Sequence, residues 1–205
     1  MQTTYIETQT VSFQDFKNQI LADYKLGRIS REMSYMARRE VLTGKAKFGI
    51  VGDGKELPQL AMAKVFRNGD FRSGYYRDQT FALAVGALSV ESFFAQLYAD
   101  TSVEREPASA GRQMNGHFAT RSLNEDGSFR KLIEQKNSSS DISPTGSQMP
   151  RLLGLAYASH FFRVNKDLQQ GEFLNYSDKG NEIAFGTIGD ASTSEGLFWE
   201  TINAA

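Results

Sequence analysis

Apolar residues recur every three to five positions along several segments, a spacing that predicts amphipathic helices. Between residues 13 and 42 the pattern predicts two such helices, separated near Gly27. A glycine-rich stretch follows, and the helical spacing resumes over 57–65 and again over 82–97. The first half of the chain is therefore expected to be largely helical.

Two shorter apolar segments have the character of β-strands. A strand is predicted around 71–76, and the run at 183–188 is typical of a buried parallel strand. The second run ends at a Gly-Asp turn, after which Ser192 and Glu195 have the spacing of a helix capping box. The order strand, turn, helix predicts an α/β fold with a parallel sheet flanked by helices.

The segment 99–148 is polar and rich in Ser, Asn, Gly and Arg, and irregular stretches of that length are usually functional or disordered. Pro150, with Ser147 upstream as a candidate cap, predicts the start of the next helix. Small side chains in this helix would let it pack closely against a neighbour; they are Gly154, Ala156 and Ala158.

Composition and charge narrow the class of protein. The chain has 205 residues, 40% of them hydrophobic, with 23 Lys and Arg against 24 Asp and Glu. This supports a sizeable core and argues against nucleic-acid binding, which needs clustered basic residues. No run approaches the roughly 20 apolar residues of a membrane span, and the N-terminus lacks the features of a signal peptide. We therefore expect a cytoplasmic protein without a membrane partner.

Cysteine and histidine counts limit the chemistry further. The absence of Cys excludes disulfides, thiolate nucleophiles and Cys-ligated zinc. The two histidines, His117 and His160, are too far apart in sequence for a His-rich metal motif.

Asp190 has the most suggestive position in the chain. It follows the predicted strand 183–188 on a glycine turn that opens a helix, which is where open α/β sheets bind ligands. Backbone N–H groups there attract a phosphate, while a carboxylate can hold Mg2+. Gly-Asp turns before helices are common, however, so the local sequence alone favours a purely structural turn.

Four motifs together resemble the alpha subunits of thiamine diphosphate-dependent 2-oxo acid dehydrogenases, of the 2-oxoisovalerate or pyruvate type. They occur in that family's order, from about Gly52 to the last residue, and read "SGYYRDQT", "GRQMNGHFA", "ISPTGSQMPRLLGLAYA" and "IAFGTIGDASTSEGLFWETINAA". "GRQM" resembles the branched-chain and bacterial members more than the mitochondrial pyruvate type. The resemblance implies an N-terminal helical segment, 1–45, and part of a thiamine diphosphate-binding domain, 46–205.

The resemblance also implies roles for individual residues. Asp190 would ligate Mg2+ between Gly189 and Ala191, whose backbones would approach the cofactor diphosphate. Tyr76 and Arg77 would contact the diphosphate, and Ser143 and Thr145 would lie near the thiamine pyrimidine, although Thr145 replaces the usual Leu. The remaining implied sites are a monovalent cation, for example K+, at Ser147 and Gln148, and a substrate-side catalytic role for His117.

Structural alternatives remain open for several of these residues. Arg77 and Asp78 would also suit a surface ion pair, with Tyr76 in the core, and His117 would also suit an exposed loop. His160, inside an apolar helix, is expected to be structural, while Arg112 either positions its loop or meets an acidic substrate.

A second Gly-Asp-Gly turn, at Asp53, also follows an apolar run. In the family an Asn completes the Mg2+ shell downstream of the Asp, and no Asn lies in the corresponding window after Asp53. We therefore expect Gly54 and Glu56 to be structural.

By this resemblance the complete enzyme decarboxylates a 2-oxo acid, branched-chain or pyruvate, and passes the acyl group to lipoamide. Its partners would be a beta subunit, or beta half of the same chain, and a lipoyl-bearing acyltransferase in an oligomeric assembly, a heterotetramer. The alternative is a catalytically incompetent fragment or pseudo-subunit with a role in assembly. The predicted last helix still runs at Asn203 without a stop signal, so we expect the N-terminal part of a larger polypeptide whose sheet is incomplete at the C-terminus.

Overall fold

A computed structural model describes residues 11–205. Helices dominate this part of the chain, with three very short strands between them. The helices are α1 (Phe13–Leu42), α2 (Glu56–Val65), α3 (Gln79–Ala84), α4 (Val90–Leu97), α5 (Gln148–Val164) and α6 (Gly196–Ala204). The strands are β1 (Phe71–Ser73), β2 (Asn137–Ser138) and β3 (Ala184–Gly186), and short 3-10 helices span Leu132–Glu134, Lys166–Leu168, Gly171–Asn175 and Asp190–Ser194.

The three strands form one parallel sheet in the order β2-β1-β3. Phe71 at the start of β1 is in register with Asn137 on one side and Ala184 on the other. The predicted α/β class and parallel pairing are confirmed. All three strands end at the same edge, so the loops that follow them meet there.

The expectation that strand 183–188 is buried was wrong. Ile183 is 51% exposed, and β3 lies at an edge of the described sheet, covered by α5 through the contact of Leu152 with Gly186. A continuous apolar run is typical of a strand covered on both faces, but apolar residues also occur on strands with an exposed face.

Helix α1 is continuous, so the predicted break near Gly27 does not exist. A Cβ at Gly27 would lie 3.5 Å from Leu60 and 3.7 Å from the Cβ of Glu56. Gly27 therefore marks the close approach of α2 rather than a turn. Before Ser30 the helix buries none of its residues, and Phe13 is 80% exposed. The periodicity identified a helix correctly without identifying which part of it is buried.

The helix predicted over 82–97 is divided into α3 and α4. Gly86 has a φ of +77°, in the left-handed region, and the chain turns there. Ser89 then caps α4, because its hydroxyl accepts from the Ser92 N–H and the Ser92 hydroxyl accepts from the Ser89 N–H. This capping box was not predicted, whereas the one predicted at Ser192 and Glu195 is absent.

The chain after Asp190 first forms a 3-10 helix, in which the Ser192 N–H donates to the Gly189 carbonyl. Helix α6 begins only at Gly196, and Glu195 caps it without a side-chain hydrogen bond. The tight 3-10 turn therefore replaces the α-helical first turn that a capping box requires.

Helix α5 begins where the sequence predicted, with Ser147 at its N-cap and Pro150 in its first turn, although the Ser147 side chain makes no capping hydrogen bond. The small residues do not bring a neighbour close, because no atom lies within 4 Å of a Cβ built at Gly154. His160 lies in α5, as expected, and is exposed.

The main hydrophobic core lies between α1, α4 and the irregular segment, and includes Met33, Ala37, Phe93, Leu97 and Phe118. A smaller aromatic cluster joins α3 to the sheet through edge-to-face contacts of Phe66 with Phe81 and Phe185. As predicted, the segment 99–148 has little regular structure. Over residues 11–205, no helix has the length and apolar character needed to cross a membrane.

Candidate cofactor site

A cleft of about 520 Å³ lies where β1 and β3 end. One wall is the loop after β1, another is the turn after β3, and α2 contributes a third. Six of the predicted site residues line this one cleft although they come from distant parts of the sequence; they are Tyr76, Arg77, Thr145, Gly189, Asp190 and Ala191. These residues meet because the strands are parallel, so the loops that follow the strands lie at the same edge of the sheet.

Asp190 starts the 3-10 helix at the carboxyl end of β3, and its side chain is exposed to the cleft. Within residues 11–205 its carboxylate accepts no hydrogen bond and forms no ion pair. A five-residue 3-10 helix offers a weaker dipole than the α-helix predicted there. The carboxylate itself is therefore the main chemical feature of this turn.

Tyr76 and Arg77 lie on the opposite wall. Arg77 is exposed, and its guanidinium carbon is 5.9 Å from the centre of the Tyr76 ring. The alternative surface pair with Asp78 is not formed, because Asp78 is buried and bonds to Arg72. Tyr76 is half-buried rather than part of the core. Both side chains are thus available to a ligand, and the planar guanidinium suits phosphate oxygens.

Two glycines let neighbouring backbone hold the Tyr76–Arg77 loop in place. A Cβ at Gly52 would lie 2.3 Å from the Arg77 carbonyl oxygen, and one at Gly116 would lie 2.6 Å from that of Tyr76. The Gln59 amide also donates to the Arg77 carbonyl at 2.9 Å. These supports were not predicted from the sequence, although the glycine-rich stretch around Gly52 was a signal that backbone segments approach closely.

Beneath the cleft, a buried arginine joins the three strand ends. Arg72 is 1% exposed, and its guanidinium donates to Asp78 Oδ2 at 2.9 and 3.2 Å and to the Ser138 hydroxyl at 2.7 Å. The Thr187 hydroxyl, after β3, also donates to Asp78. Arg72 Nη2 is 2.9 Å from Asp141 Oδ1, close enough for an ion pair but outside hydrogen-bond geometry.

Arg72 and the two carboxyl groups beside it, Asp78 and Asp141, are all buried. Burial raises the pKa of Asp141, and the Arg72 guanidinium opposes that rise. Burial also disfavours the charged guanidinium, but the Asp141 and Asp78 carboxylates outweigh it and raise the pKa of Arg72. Asp78 Oδ1 is buried with no hydrogen-bond partner among the described residues. A Cβ at Gly74 would lie 2.3 Å from the guanidinium atoms, so only glycine leaves them room.

His117 is buried, so the alternative of an exposed loop histidine was wrong. Its Nδ1 lies 3.0 Å from the Met114 carbonyl, and its Nε2 lies 2.7 Å from the Ser143 hydroxyl. Since a carbonyl only accepts, Nδ1 carries a proton and donates to it, while Nε2 is hydrogen-bonded to the Ser143 hydroxyl. The ring stacks near Tyr76, with centres 6.3 Å apart. His117 and Ser143 thus lie beside the cleft without lining it.

Ser147 and Gln148 lie at the start of α5. The buried Gln148 side chain donates to the Thr187 carbonyl at 2.9 Å, and the Ser73 hydroxyl donates to the Gln148 carbonyl. Gln148 therefore ties α5 to the ends of β1 and β3. Arg112 is exposed in the irregular segment and does not line the cleft.

The second Gly-Asp-Gly turn forms structural contacts. Asp53 pairs with Arg38, and Glu56 accepts two hydrogen bonds from Arg31 and one from the Gly54 N–H. Gly54 itself has a φ of +91°. These contacts agree with the structural roles predicted for Gly54 and Glu56.

The donor set of the cleft fits a diphosphate with Mg2+. Arg77 and Tyr76 offer an N–H fork and a hydroxyl, and Asp190 offers an open carboxylate. No group of three or more His, Cys, Asp or Glu residues suited to a metal occurs within residues 11–205. A Mg2+ ion held mainly by ligand phosphates needs only one or two protein carboxylates, so Asp190 alone is compatible with it.

Comparison with known proteins identifies the family to which this chain belongs. The sequence matches the family described as Dehydrogenase E1 component over residues 24–205. It is 28% identical over 164 residues to the 2-oxoisovalerate dehydrogenase subunit alpha of Bacillus subtilis (strain 168), an alignment that covers 80% of this chain and 40% of that relative. The chain thus spans less than half the length of this relative. Enzymes of the family depend on thiamine diphosphate. Since the match covers most of the sequence, the chain belongs to the Dehydrogenase E1 component family, as an alpha-type chain.

Proposed function

We propose that this protein supplies the diphosphate and metal side of the thiamine diphosphate site in a 2-oxo acid dehydrogenase. The observation that carries the proposal is the meeting of Arg77, Tyr76 and Asp190 in one cleft at the carboxyl ends of β1 and β3. Arg77 and Tyr76 would bind the diphosphate, Asp190 would hold Mg2+, and the backbones of Gly189 and Ala191 would lie alongside. The buried Arg72 group would keep the loop that bears Tyr76 and Arg77 in place.

When bound, thiamine diphosphate supplies the carbanion chemistry by which a 2-oxo acid loses carbon dioxide. The residues of this chain would bind the cofactor and orient it. Tyr76, Arg77 and Thr145 would line the bound cofactor, while Ser143 and His117 lie beside the cleft next to Tyr76. His117 Nε2, which lies 2.7 Å from the Ser143 hydroxyl, would exchange a proton with a group that reaches this side of the cleft.

The finer parts of the proposal follow from the family and from the resemblance in the motifs. The acyl product would pass to a lipoyl group on an acyltransferase, and a beta subunit or beta half would complete the site in a cytoplasmic heterotetramer. For the substrate, "GRQM" and the similarity to the 2-oxoisovalerate dehydrogenase subunit alpha of Bacillus subtilis favour 2-oxoisovalerate over pyruvate. A monovalent cation at Ser147 and Gln148 rests on the resemblance alone, because the Gln148 amide already holds the Thr187 carbonyl.

The test is calorimetric titration of the intact protein with thiamine diphosphate in the presence and absence of Mg2+. We expect binding that Mg2+ strengthens, with the Mg2+ effect lost in Asp190→Asn. Asp53→Asn is the matched control, since Asp53 lies on the other Gly-Asp turn but pairs with Arg38. At about 100 times its Kd, the cofactor should raise the free energy of unfolding by about 2.7 kcal/mol.

The absence of binding at millimolar cofactor would contradict the proposal and favour the incompetent fragment or pseudo-subunit. An equal loss of the Mg2+ effect in Asp53→Asn would show that Asp190 is not the ligand. Turnover of 2-oxoisovalerate and of pyruvate by the complete enzyme then decides the substrate, and we expect the branched-chain acid to give the higher kcat/KM.

A further inference from the structure

A second cleft, of about 540 Å³, lies at the opposite end of the sheet. Asn68 lines it just before β1, and Gln135 and Lys136 line it just before β2. These are the amino ends of the strands, whereas the cofactor cleft lies at the carboxyl ends. The two clefts have no lining residue in common. The size is within the range of small-molecule sites, roughly 300 to 1,000 Å³.

The irregular segment builds one rim of this second cleft. Its backbone runs beside β2, where the Thr120 N–H donates to the Ser138 carbonyl at 3.0 Å. It then folds into a small hairpin in which Leu123 pairs with Phe129. The Arg130 N–H closes the hairpin on the Ser122 carbonyl at 2.9 Å. This hairpin brings Arg121 and Arg130, which are distant along the loop, to the same rim.

Three cations, Arg121, Arg130 and Lys136, line the second cleft together with a single carboxylate, Glu106. Within the part of the chain that the structure describes, Arg121, Arg130 and Lys136 form no ion pair, whereas Arg31 and Arg105 each pair with a nearby carboxylate. Like charges gathered at one place repel each other. The repulsion is relieved when an anion binds between them.

The carboxylate that does line this cleft, Glu106, is already satisfied. It is 1% exposed and accepts hydrogen bonds from the N–H groups of Ala108, Ser109 and Gly111, at 2.9 to 3.0 Å. Its role is to fold the loop that carries it. Glu106 forms no ion pair with Arg121, Arg130 or Lys136, so the lining keeps an excess of positive charge, three cations against one carboxylate.

Apolar side chains also line this cleft; they are Val85, Ala87, Pro107 and Phe118. A ligand that contacts both these side chains and the cations has an anionic end and an apolar body. A phosphate ester carries close to two negative charges at neutral pH and suits the planar donors of two arginines, whereas a single carboxylate would leave more of the positive charge unneutralised.

We propose that this second cleft binds an organic phosphate with a small apolar body. The site is independent of the proposed function, since it lies at the other end of the sheet. Arg121 and Arg130 would grip the phosphate, Lys136 would add charge from the floor, and the apolar body would rest on Phe118 and its neighbours.

The test uses 1-naphthyl phosphate as a fluorescent probe and the intact protein with excess thiamine diphosphate and Mg2+ present. We expect saturable binding at millimolar concentrations or below, tighter than binding of 1-naphthoate or inorganic phosphate. The double variant Arg121→Gln, Arg130→Gln should raise the Kd by about tenfold or more, because it removes two charge-assisted contacts. Lys131→Gln is the control, since Lys131 neighbours Arg130 but pairs with Glu134 and does not line the cleft.

Several outcomes would overturn the proposal. These are no saturable binding, a Kd that rises as much in Lys131→Gln as in the double variant, equally tight binding of 1-naphthoate, or binding that is lost in Asp190→Asn but kept in the double variant. A second measurement does not depend on folding of variants. Bound probe should protect Lys136 from acetylation, measured by mass spectrometry, while Lys131 stays reactive; equal reactivity of Lys136 with and without probe would also refute the site.

Discussion

Glu56, at the start of α2, accepts hydrogen bonds from Arg31 at 2.6 Å on both of its oxygens. The hydrogen bonds from Arg31 lower its pKa from 4.5 to about 2, against the opposing effect of burial, and the Gly54 N–H adds to the lowering. The pair fastens α1 to α2. Family resemblance assigned Glu56 a structural role, but its partner Arg31 lies in a helix whose buried side was not evident from the sequence.

The pair should make stability depend on pH in a defined window. Because the folded-state pKa of Glu56 is below the unfolded value, its contribution is present above about pH 4.5 and is lost as the pH falls toward about 2. We expect the difference in free energy of unfolding between wild type and Glu56→Gln, measured with urea, to shrink across that window. Glu32→Gln removes an exposed pair with Arg28 and should cost less than about 0.5 kcal/mol. A difference that grows toward low pH would contradict the prediction.

At the scale of elements, two glycines inside helical patterns have opposite effects. The helix continues through Gly27, which faces α2, but ends at Gly86, where φ is +77°. Both positions have apolar residues at helical spacing around them, so their local sequences do not distinguish them. Contacts outside the local sequence decide whether the helix continues or ends. Helix α2 packs against Gly27, whereas the Ser89–Ser92 cap starts a new helix after Gly86. Helix existence was therefore predictable, whereas helix boundaries depended on packing.

Gly27→Ala should stabilise the protein by about 0.5 to 1 kcal/mol, because the new Cβ would meet Leu60 and Glu56 at ordinary contact distances and the unfolded chain would lose freedom. Gly116→Ala is the contrasting change, since φ there is +85° and the Cβ would lie 2.6 Å from the Tyr76 carbonyl oxygen. It should lower stability. Urea unfolding of both variants gives the comparison, and destabilisation by Gly27→Ala would show that α1 and α2 leave no room for the methyl group.

Across the whole molecule, the cofactor cleft was predictable because its residues lie in short motifs beside strand ends. The buried residues that support the cleft from below were not predictable. Arg72 and Asp141 are far apart in sequence, and each is an ordinary polar residue in its own segment. Only the pairing of β1 with β2 brings them together under the Tyr76–Arg77 loop. A charged residue in a three-residue strand was a faint signal, since charges are rarely buried without partners.

Replacement of Arg72 tests how much this buried arginine contributes to the stability of the fold. Arg72→Met would leave Asp78 and Asp141 buried without their counter-ion, and we expect a loss of about 3 to 5 kcal/mol in the free energy of unfolding at neutral pH. Arg28→Met, which removes an exposed pair, should cost less than about 1 kcal/mol.

The pH dependence of this loss follows from the charges left behind. Burial already raises the pKa of Asp141, and without Arg72 the opposing attraction is gone, so the pKa should rise further. A carboxyl whose folded pKa exceeds its unfolded value contributes stability that is complete below the unfolded pKa and is lost as the pH rises through the folded pKa. Arg72→Met should therefore be least destabilised, relative to wild type, in acid. Urea unfolding from pH 7 down to pH 4 measures this, and a deficit that is constant or that widens in acid would show that the buried carboxylates do not cause the loss.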